Sequence, residues 1–427
     1  MPLSDKHPVV GLTDDQPGLA DTAKEAWLYG LILIESARTR QGTIETAGVN
    51  ALLHHRKLSS PSDRWVTSPN NDTIYSAAWL DLAAGPATID LPATGERYAS
   101  YAFMDMYGRN FAVLGTRTTG GAARRVTLVG PAGATSDPLA VRSPTRWVWF
   151  LARFLVDGSP DLPAVHALQD AIRISARAGQ KPAATASSDA DWKDYFASVS
   201  SLIAENPPPV SDLRFFRRIA ALGLGPSGGF DAARFNASEQ AAIARGADEA
   251  RALARQAWSG PIINGWVYPA AGSGLGQDYL RRARIAASGL GGLPPQEAIY
   301  LRHSGTGGST HLPADRAWLL EFPANALPPV DAFWSLSMYG VAPDAKRYFY
   351  DNPIGRYSIG DRTSDLARTP SGAIRIWMAR EAPPAGNGVN WLPLPPTEYF
   401  SVTLRAYLPK PEFIRGDYKL PPLLPLA

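Results

Sequence analysis

The chain contains no cysteine, and this absence excludes several kinds of chemistry. Disulfide bonds, a thiolate nucleophile and zinc or iron–sulfur sites with cysteine ligands all require a thiol. Because a protein without thiols works in either redox state, the compartment has to be inferred from other features.

The chain also lacks an excess of one charge and lacks long hydrophobic runs. Its 42 Lys and Arg residues nearly balance its 39 Asp and Glu residues, so we expect no nucleic-acid and no anionic-membrane partner. The first 18 residues are polar, and the longest early apolar run, Ala26–Ile34, is too short to span a bilayer. We expect no transmembrane segment and a cytoplasmic protein, or a periplasmic or secreted one if an initiator Met replaces a removed signal peptide. No feature indicates the oligomeric state.

Apolar and turn-forming residues are abundant. Hydrophobic residues make up 45% of the 427 residues and charged residues 19%, which is typical of a globular protein. The chain has 38 glycines and 38 prolines, more than the usual combined share of about 12%, and so many turns indicate β-rich architecture. At about 150 residues per domain, the length predicts two to three domains. We predict an α+β multidomain protein dominated by β-structure.

The hydrophobic period changes along the chain. A period of 3.6 predicts a helix over Asp21–Arg40, with Asp21 as its N-cap. Residues 159–259 are again helical in pattern, with Gly179 ending a helix and a capping box at Asn236 and Glu239. Short alternating runs predict antiparallel strands elsewhere: Arg97–Met106, Phe111–Thr116, Arg125–Val129, Trp147–Leu151, Ala298–His303, Ala317–Phe322, Ala332–Tyr339, Ala373–Ala379 and Phe400–Tyr407. In the last strand one face is apolar and one polar, which predicts a half-solvated sheet, and an extended Pro-rich tail follows.

Two glycine-rich patterns do not qualify as catalytic or nucleotide motifs. Gly223, Gly225 and Gly228 spell G-x-G-x-x-G, and Gly225, Ser227 and Gly229 spell G-x-S-x-G. Both motifs need a strand before them and a helix after them, whereas these glycines end a helical pattern. We therefore predict antiparallel strands throughout and no bound nucleotide, haem or flavin.

The histidines give no strong metal signature. His303 and His311 flank the glycine-rich stretch Gly305–Ser309, a predicted hairpin tip, and across a hairpin they would be the first ligands to consider. No H-E-x-x-H motif accompanies them, so we expect no tightly held metal and no cofactor.

Three polar stretches carry the candidate chemistry. The first includes Asn71, Asp72 and Tyr75, and the second includes Asp105 and Arg109. The third contains Trp391 and leads into the last strand, which carries Arg405. Each of these stretches is also typical of an ordinary turn or proline-rich loop, because Asn and Asp side chains form hydrogen bonds with nearby backbone groups. Because loops at one end of a sandwich gather together, we predict that Asn71, Asp72, Asp105 and Arg109 line one cavity.

Together these stretches resemble the bacterial domain-of-unknown-function families 1254 and 1214. The resemblance to the first rests on Asn71-Asp72-Thr73-Ile74-Tyr75, Ala84-Gly85-Pro86, Arg97-Tyr98 and Gly115-Thr116-Arg117. The resemblance to the second rests on 328–335, Asn352-Pro353, Arg356-Tyr357-Ser358-Ile359-Gly360-Asp361-Arg362, Asn390-Trp391-Leu392-Pro393 and Leu404-Arg405-Ala406-Tyr407. The chain departs from the family at Pro370-Ser371-Gly372 and at Gly305–His311, so no role is assigned to those loops.

The resemblance implies a helical part, an immunoglobulin-like sandwich and a C-terminal jelly-roll-like sandwich. It carries over no functional residue. Taken with the hydrophobic periodicity, the resemblance predicts four parts. An N-terminal helix and connector occupy 19–60, and an immunoglobulin-like antiparallel sandwich occupies 61–155. A helical domain that packs on the first helix occupies 156–259, and a jelly-roll-like sandwich with a Pro-rich tail occupies 260–427.

Two functions follow as alternatives. The first is an enzyme that acts on a small organic molecule in an interdomain cleft by acid–base hydrolysis, elimination or isomerisation. Its candidate catalytic residues are Asp72, Asp105 and Arg109, and its candidate substrate-binding residues are Asn71, Tyr75, Arg356, Asp361, Trp391 and Arg405. The alternative is a non-catalytic carbohydrate-binding or envelope-associated protein. A buried carboxylate in a deep cleft favours the enzyme, and a shallow aromatic platform favours the binding protein.

Overall fold

The computed structural model describes residues 18–64, 66–256, 260–268, 276–305, 311–383 and 389–426. Within these ranges it contains seven α-helices: α1 Leu19–Ala47, α2 Leu162–Ala171, α3 Trp192–Glu205, α4 Leu213–Arg218, α5 Ala237–Arg255, α6 Tyr279–Ser288 and α7 Pro411–Ile414. No helix among these residues is long and apolar enough to cross a membrane.

The strands of the described ranges fall in two groups. The first half of the chain contains β1 Leu53–His54, β2 Thr73–Asp81, β3 Ala87–Leu91, β4 Ala99–Met104, β5 Asn110–Gly115, β6 Arg124–Val129, β7 Val141–Arg142, β8 Trp147–Leu155 and β9 Arg173–Ala176. The second half contains β10 Ile262–Ile263, β11 Trp266–Val267, β12 Ala298–His303, β13 Leu312–Pro313, β14 Trp318–Phe322, β15 Val330–Val341, β16 Arg347–Tyr348, β17 Ser358–Gly360, β18 Ile374–Ala379, β19 Val389–Pro393, β20 Tyr399–Pro409 and β21 Leu424–Pro425.

Helix α1 is the centre of the helical part because apolar residues surround it on nearly every side. It packs on α3, α5 and α6, and the Tyr195 hydroxyl donates to the Trp27 carbonyl at 2.7 Å. The helix begins earlier and ends later than predicted. Its N-cap is Gly18, which has no side-chain cap, so the assignment of Asp21 as N-cap was wrong. Asp21 instead lies in the first turn, where the helix dipole favours a negative charge.

The first sandwich packs two sheets around an apolar core. Its five-stranded sheet has the order β1-β2-β8-β4-β5, and its four-stranded sheet has the order β7-β6-β3-β9. Alternate residues of β2, such as Ile74 and Leu80, point into this core. Strand β9 was predicted as helix up to Gly179, which was wrong: α2 stops at Ala171, and 173–176 pair with β3. The β-branched Ile174 fits this pleated edge, and the pairing outweighs the local helical pattern.

The second sandwich is built in the same way. An eight-stranded sheet contains β10-β11-β12-β20-β15-β16, with β13 also on β20 and β17 on β15, and it faces the four-stranded sheet β19-β18-β14-β21. Its core includes Trp334, Leu336, Val402 and Leu404, which alternate along β15 and β20. The tail is not extended throughout as predicted, because the short helix α7 interrupts it, while β21 is extended and pairs with β14. The α+β, β-rich, multidomain class is confirmed.

The prediction of antiparallel strands throughout was wrong at two places. β6 pairs with β7 in parallel, and β18 pairs with β19 in parallel. The second strand of each pair therefore runs in the same direction as the first. The described connection between β6 and β7 contains no helix. Gly223–Gly228 lies after a short 3₁₀ turn and outside any strand, as expected from the rejected nucleotide motif.

A matched pair of helix glycines tests the packing around α1. A Cβ at Gly246 of α5 would lie 2.0 Å from the Ala20 carbonyl oxygen, whereas a Cβ at Gly42 would meet nothing within 4 Å. We expect Gly246→Ala to destabilise the protein by about 2 kcal/mol or more, since two backbones must separate. We expect Gly42→Ala to stabilise it by about 0.5–1 kcal/mol. Urea unfolding of both variants checks this, and equal effects would contradict the close approach of α1 and α5.

Candidate functional site

The polar face of the second sandwich's large sheet is organised in rows. The register aligns Tyr300, Arg405 and Ser335 across β12, β20 and β15, and the next row contains Arg302, Thr403 and Ser337. Directly paired residues point to the same side of a sheet, so each row forms one line of polar side chains. This face was predicted to be half-solvated, which was wrong: along β20, Ser401, Thr403, Arg405 and Tyr407 are all buried.

The first sandwich supplies the opposite wall. Tyr75 of β2, Arg153 of β8 and Ser100 of β4 lie in one row on the outer face of its five-stranded sheet. Leu151 and Ala77, one row along, belong to the core under α1, so this polar row borders the helical core. Arg153 lies over the Tyr75 ring, 5.4 Å from its centroid.

The segment 67–72 joins the two walls. Arg405 Nη2 donates to the Ser68 carbonyl at 2.9 Å, and the Tyr339 hydroxyl donates to the Pro69 carbonyl at 2.8 Å. Asn70 Nδ2 donates to the hydroxyls of Tyr75 and Tyr407 at 2.8 and 3.0 Å. One amide therefore connects a tyrosine of the first sandwich to one of the second. We call the whole arrangement the polar seam: Asn70, Asp72, Tyr75, Arg153, Tyr300, Ser335, Arg405 and Tyr407.

Asp72 is the carboxylate of the polar seam. The Ser335 hydroxyl donates to its Oδ2 at 2.6 Å, and the Asp72 backbone N–H donates to Asn70 Oδ1 at 2.7 Å. Burial raises the pKa of the Asp72 carboxyl, while Arg405 and the Ser335 hydroxyl oppose that shift. No described side chain is recorded as a donor to its second oxygen, Oδ1. A carboxylate of raised pKa with one oxygen held and one uncommitted is suited to accept a proton.

Two buried arginines dominate the electrostatics of the seam. Arg153 and Arg405 each expose 5% of their surface. Arg153 donates to the Gly291 carbonyl through Nη2, and its buried Nη1 has no hydrogen-bond partner. Arg405 donates to the Ser337 hydroxyl at 2.8 Å and to backbone carbonyls. Among the described residues neither guanidinium lies within 4.0 Å of a carboxylate oxygen, so the seam carries an excess of positive charge.

Tyrosines complete the lining. Burial raises the pKa of Tyr407 well above its ordinary value, and the nearby Asp72 acts in the same direction. Burial also raises the pKa of Tyr300. Both hydroxyls therefore keep their protons at neutral pH and can donate hydrogen bonds. Behind them the Tyr98 hydroxyl donates to Glu297, whose carboxylate pairs with Arg117 at 2.6 Å, so Glu297 is already compensated.

Tyr300 is the exposed member of its row in the seam. It exposes 39% of its surface although its neighbours in the same row are buried, and burial still affects its hydroxyl. Two clefts form elsewhere in the described chain. One of about 10 Å³ includes Arg356 and has room for only about one water, and one of about 140 Å³ lies between Arg40 and Lys181.

Asp361 lies close to the seam. Its Oδ1 accepts from the Trp334 backbone N–H at 3.0 Å. More than a third of the residue is exposed, yet desolvation of the carboxyl, helped by the nearby Asp72, raises its pKa to about 6. Asn71, half-buried, is next to Asp72 in the chain. Thus Asn71, Asp72, Tyr75, Asp361 and Arg405 lie in one region.

The structure does not bring Asp105 and Arg109 to this region, so the predicted single cavity was wrong. Strands β2 and β4 both pair antiparallel with β8 and therefore run in the same direction. Asp72 precedes β2 whereas Asp105 follows β4, which places them at opposite ends of the sheet. There Asp105 closes the β4–β5 hairpin, accepting from the backbone N–H groups of Tyr107 and Arg109, both at 2.9 Å.

Arg356 and Trp391 also have local partners away from the seam. Arg356 pairs with Asp365 at 2.5 Å and donates to the Trp391 carbonyl. The Trp391 indole donates to the Ala379 carbonyl at 2.9 Å, which joins neighbouring strands. These contacts explain both residues as parts of the second sandwich.

The histidines do not converge. His303 shares a face with Leu301, towards the inner core, and packs edge-on against Trp266. His311 precedes Leu312, whose partner is Phe400, and therefore neighbours Ser401 on the polar face. Gly305–Ser309 lies mostly outside the described residues. Within those residues no group of three or more His, Asp or Glu side chains has the spacing of a metal site.

Sequence reasoning missed Arg153, Tyr300 and Tyr407. Arg153 carries the one detectable signal, since it is the only charged residue in the strand 147–155, which is otherwise apolar. A lone arginine inside a buried strand calls for a partner. Tyr300 and Tyr407 lie in patterns typical of any half-polar strand.

The fold and the polar seam define an α+β protein in which two β-sandwiches meet through polar faces beside a helical core. Residues 49–176 match the family "protein of unknown function (DUF1254)", and residues 297–411 match "protein of unknown function (DUF1214)". The chain therefore contains one region similar to each of these two families, both of which are described as proteins of unknown function. Asp72 and Tyr75 lie in the first region, and Tyr300, Ser335 and Arg405 in the second.

One solved structure agrees with this fold. The VPA0106 protein from Vibrio parahaemolyticus is 21% identical, with a TM-score of 0.69 over 96% of this chain and 100% of that chain. A protein from Burkholderia cenocepacia is 13% identical, with a TM-score of 0.44 over 92% and 91% of the two chains. No curated protein matches the chain.

Asp105 is predicted to serve stability. Asp105→Ala removes the acceptor of two backbone N–H groups and the ion-pair partner of Arg109, so we expect a loss of about 2–4 kcal/mol in the free energy of unfolding. Asp90→Ala breaks an exposed pair with Arg125 and is the matched control, with no measurable change expected. Chemical denaturation measures both, and an unchanged Asp105→Ala variant would show that the hairpin does not depend on this carboxylate.

The raised pKa of Asp361 predicts a pH dependence of stability. Its pKa is about 6 in the folded chain and 3.8 ordinarily, so protonation favours folding. The stability gained from protonation of Asp361 is fully present below pH 3.8 and is lost as the pH rises through about 6. Asp361→Asn keeps the acceptor for Trp334 but cannot ionise. Unfolding measured from about pH 4 to about pH 7 should show the variant gaining stability relative to the parent protein, and a constant difference would contradict the shift.

Proposed function

We propose that the protein is an enzyme that binds a small organic anion, a carboxylate above all, in the polar seam and acts on it by acid–base chemistry. In this proposal Arg153 binds the carboxylate, Asp72 is the general base, and the Tyr300 and Tyr407 hydroxyls donate hydrogen bonds to the charge that develops. Arg405 holds the segment 67–72 in place and raises the local positive potential.

The observation that carries the proposal is the unpaired Arg153. Its guanidinium is buried, its Nη1 has no partner, and tyrosines act on it most strongly, while the Glu297 carboxylate that also interacts with its charge is paired with Arg117. A buried charge without a counter-charge costs several kcal/mol, so proteins pair such groups. A ligand carboxylate would supply the missing partner in a bidentate geometry that guanidinium groups favour.

Asp72 supports a catalytic role rather than binding alone. Hydrolysis, elimination and isomerisation share a first step, in which a base removes a proton from water or from the carbon next to the carboxylate. Asp72 has one oxygen held by Ser335 and a pKa raised by burial, and both features favour proton transfer to the other oxygen. The protonated tyrosines and Arg153 would stabilise the negative charge left on the substrate.

The alternative is a non-catalytic protein that binds carbohydrates. The observation in its favour is the exposed Tyr300, whose ring could stack on a sugar, although Arg153 already lies over Tyr75 and Phe333 stacks on Tyr407. A buried carboxylate beside two buried arginines is the stronger feature, because stacking on a sugar requires neither.

Replacement of a ligand's α-proton by deuterium from D₂O tests whether Asp72 is the general base. Carboxylates and sugars are first screened for thermal stabilisation of the full chain, and each stabilising carboxylate is then incubated in D₂O and followed by proton NMR. We expect loss of the α-proton signal or product formation with the parent protein. Asp72→Asn is nearly isosteric and still accepts from Ser335, so it should bind normally while exchange slows about 10²–10⁴-fold.

Two further variants separate the outcomes. Arg153→Met should weaken carboxylate binding about tenfold or more, and Arg368→Met, at an exposed site, is the control. Binding without exchange or turnover in the parent protein would favour a binding protein, and stabilisation by sugars alone would favour the carbohydrate alternative. Unchanged exchange in Asp72→Asn would exclude Asp72 as the base.

A further inference from the structure

A second cationic cluster lies on the same polar face, beyond the seam. Arg302 occupies the row with Thr403 and Ser337, about 7 Å along β12 from Tyr300. Arg347 pairs with Val341, which shares the face of Ser337 on β15, so Arg347 points to the same side. Ser401 lies between these two arginines on β20. The register therefore directs two long cationic side chains towards one patch of the face.

These arginines have few partners. Among the described residues, no hydrogen bond or ion pair is recorded for the Arg302 guanidinium, and its Nε is buried. Arg347 donates from Nε to the Ser68 hydroxyl at 3.0 Å, and neither arginine forms an ion pair with a described carboxylate. The buried Ser401 hydroxyl also lacks a partner. Two cations and a hydroxyl donor are thus available in one patch.

The electrostatics agree with this geometry. Burial lowers the pKa of Arg347 to about 10, and the positive charge of Arg302 adds to the shift, so the two groups lie near each other. His311 lies beside them, and burial and both arginines lower its pKa. Positive charges that lie close together with little solvent around them repel each other. A bound anion would offset this unfavourable electrostatic energy.

We propose that Arg302, Arg347 and Ser401 form a second anion subsite, so that the substrate of the polar seam carries two acidic groups. The inference rests on the proposed function for its substrate, while the subsite itself stands on its own residues. Arg153 would hold one acidic group near Asp72, and Arg302 and Arg347 would hold the second, a carboxylate or a phosphate. Tyr300 and Thr403 lie between the two positions on the face.

Inorganic phosphate probes the second subsite alone. Isothermal titration calorimetry of the full chain at low ionic strength should detect phosphate binding to the parent protein. Arg302→Met and Arg347→Met should each weaken it about ten- to a hundredfold, as expected for a charged hydrogen bond. Neither substitution orphans a buried carboxylate, and Arg347 keeps its backbone bonds to 67–68, so both variants should fold. Arg368→Met is the matched control and should bind as the parent protein does.

The variants distinguish failure of this inference from failure of the proposed function. Arg153→Met should leave the phosphate affinity within about twofold while weakening monocarboxylates. A series of α,ω-dicarboxylates should include one that binds the parent protein more tightly than the monocarboxylate of equal length, with the advantage lost in Arg302→Met. No phosphate binding by the parent protein, or equal binding by Arg302→Met, overturns the second subsite. If Arg153→Met binds monocarboxylates as tightly as the parent protein does, the proposed function is overturned instead.

Discussion

The burial of one polar sheet face against another is the constraint on which the rest of the structure depends. Most sandwich sheets hide an apolar face and leave a polar face in water. Here the polar face of β20 is covered, so its serine, threonine, arginine and tyrosine need partners from the protein. The segment 67–72 meets much of that need with backbone carbonyls and with Asn70 and Asp72. The segment does not supply a paired carboxylate for the buried arginines. The seam therefore keeps an excess of positive charge, which favours an anionic ligand.

The helical part serves this arrangement by supporting the first sandwich from outside. Helix α1 covers the outer face of the five-stranded sheet next to the row of Arg153, and the loop at Gly291 accepts from the Arg153 guanidinium. The same sheet thus has an apolar half under helices and a polar half against the second sandwich. A single strand, β8, carries both environments along its length, with Trp149 in one and Arg153 in the other.

Sequence patterns predicted the helices and strands better than the tertiary contacts between them. The alternation in 400–407 was found, but solvent on its polar side was assumed, because a single sequence does not show which sheet covers it. Asp72 and Tyr75 were predicted from a polar, turn-forming stretch and Arg405 from the last strand, and the three do lie together. Asp105 was predicted from a polar stretch between two strands and lies at the other end of the sheet, since strand direction depends on pairing with β8. Residues 173–176 followed a helical pattern, and their pairing with β3 outweighed it.

The position of segment 67–72 has a consequence for how such proteins can be recombined. It is continuous in sequence with the first sandwich but accepts hydrogen bonds from Ser335, Tyr339 and Arg405 of the second, at the Asp72 carboxylate and at two backbone carbonyls. A chimaera that exchanged the two halves between relatives at a boundary after this segment would separate it from its contacts. Neither half contains the whole polar seam, so the facing residues of the two sandwiches would have to be exchanged together.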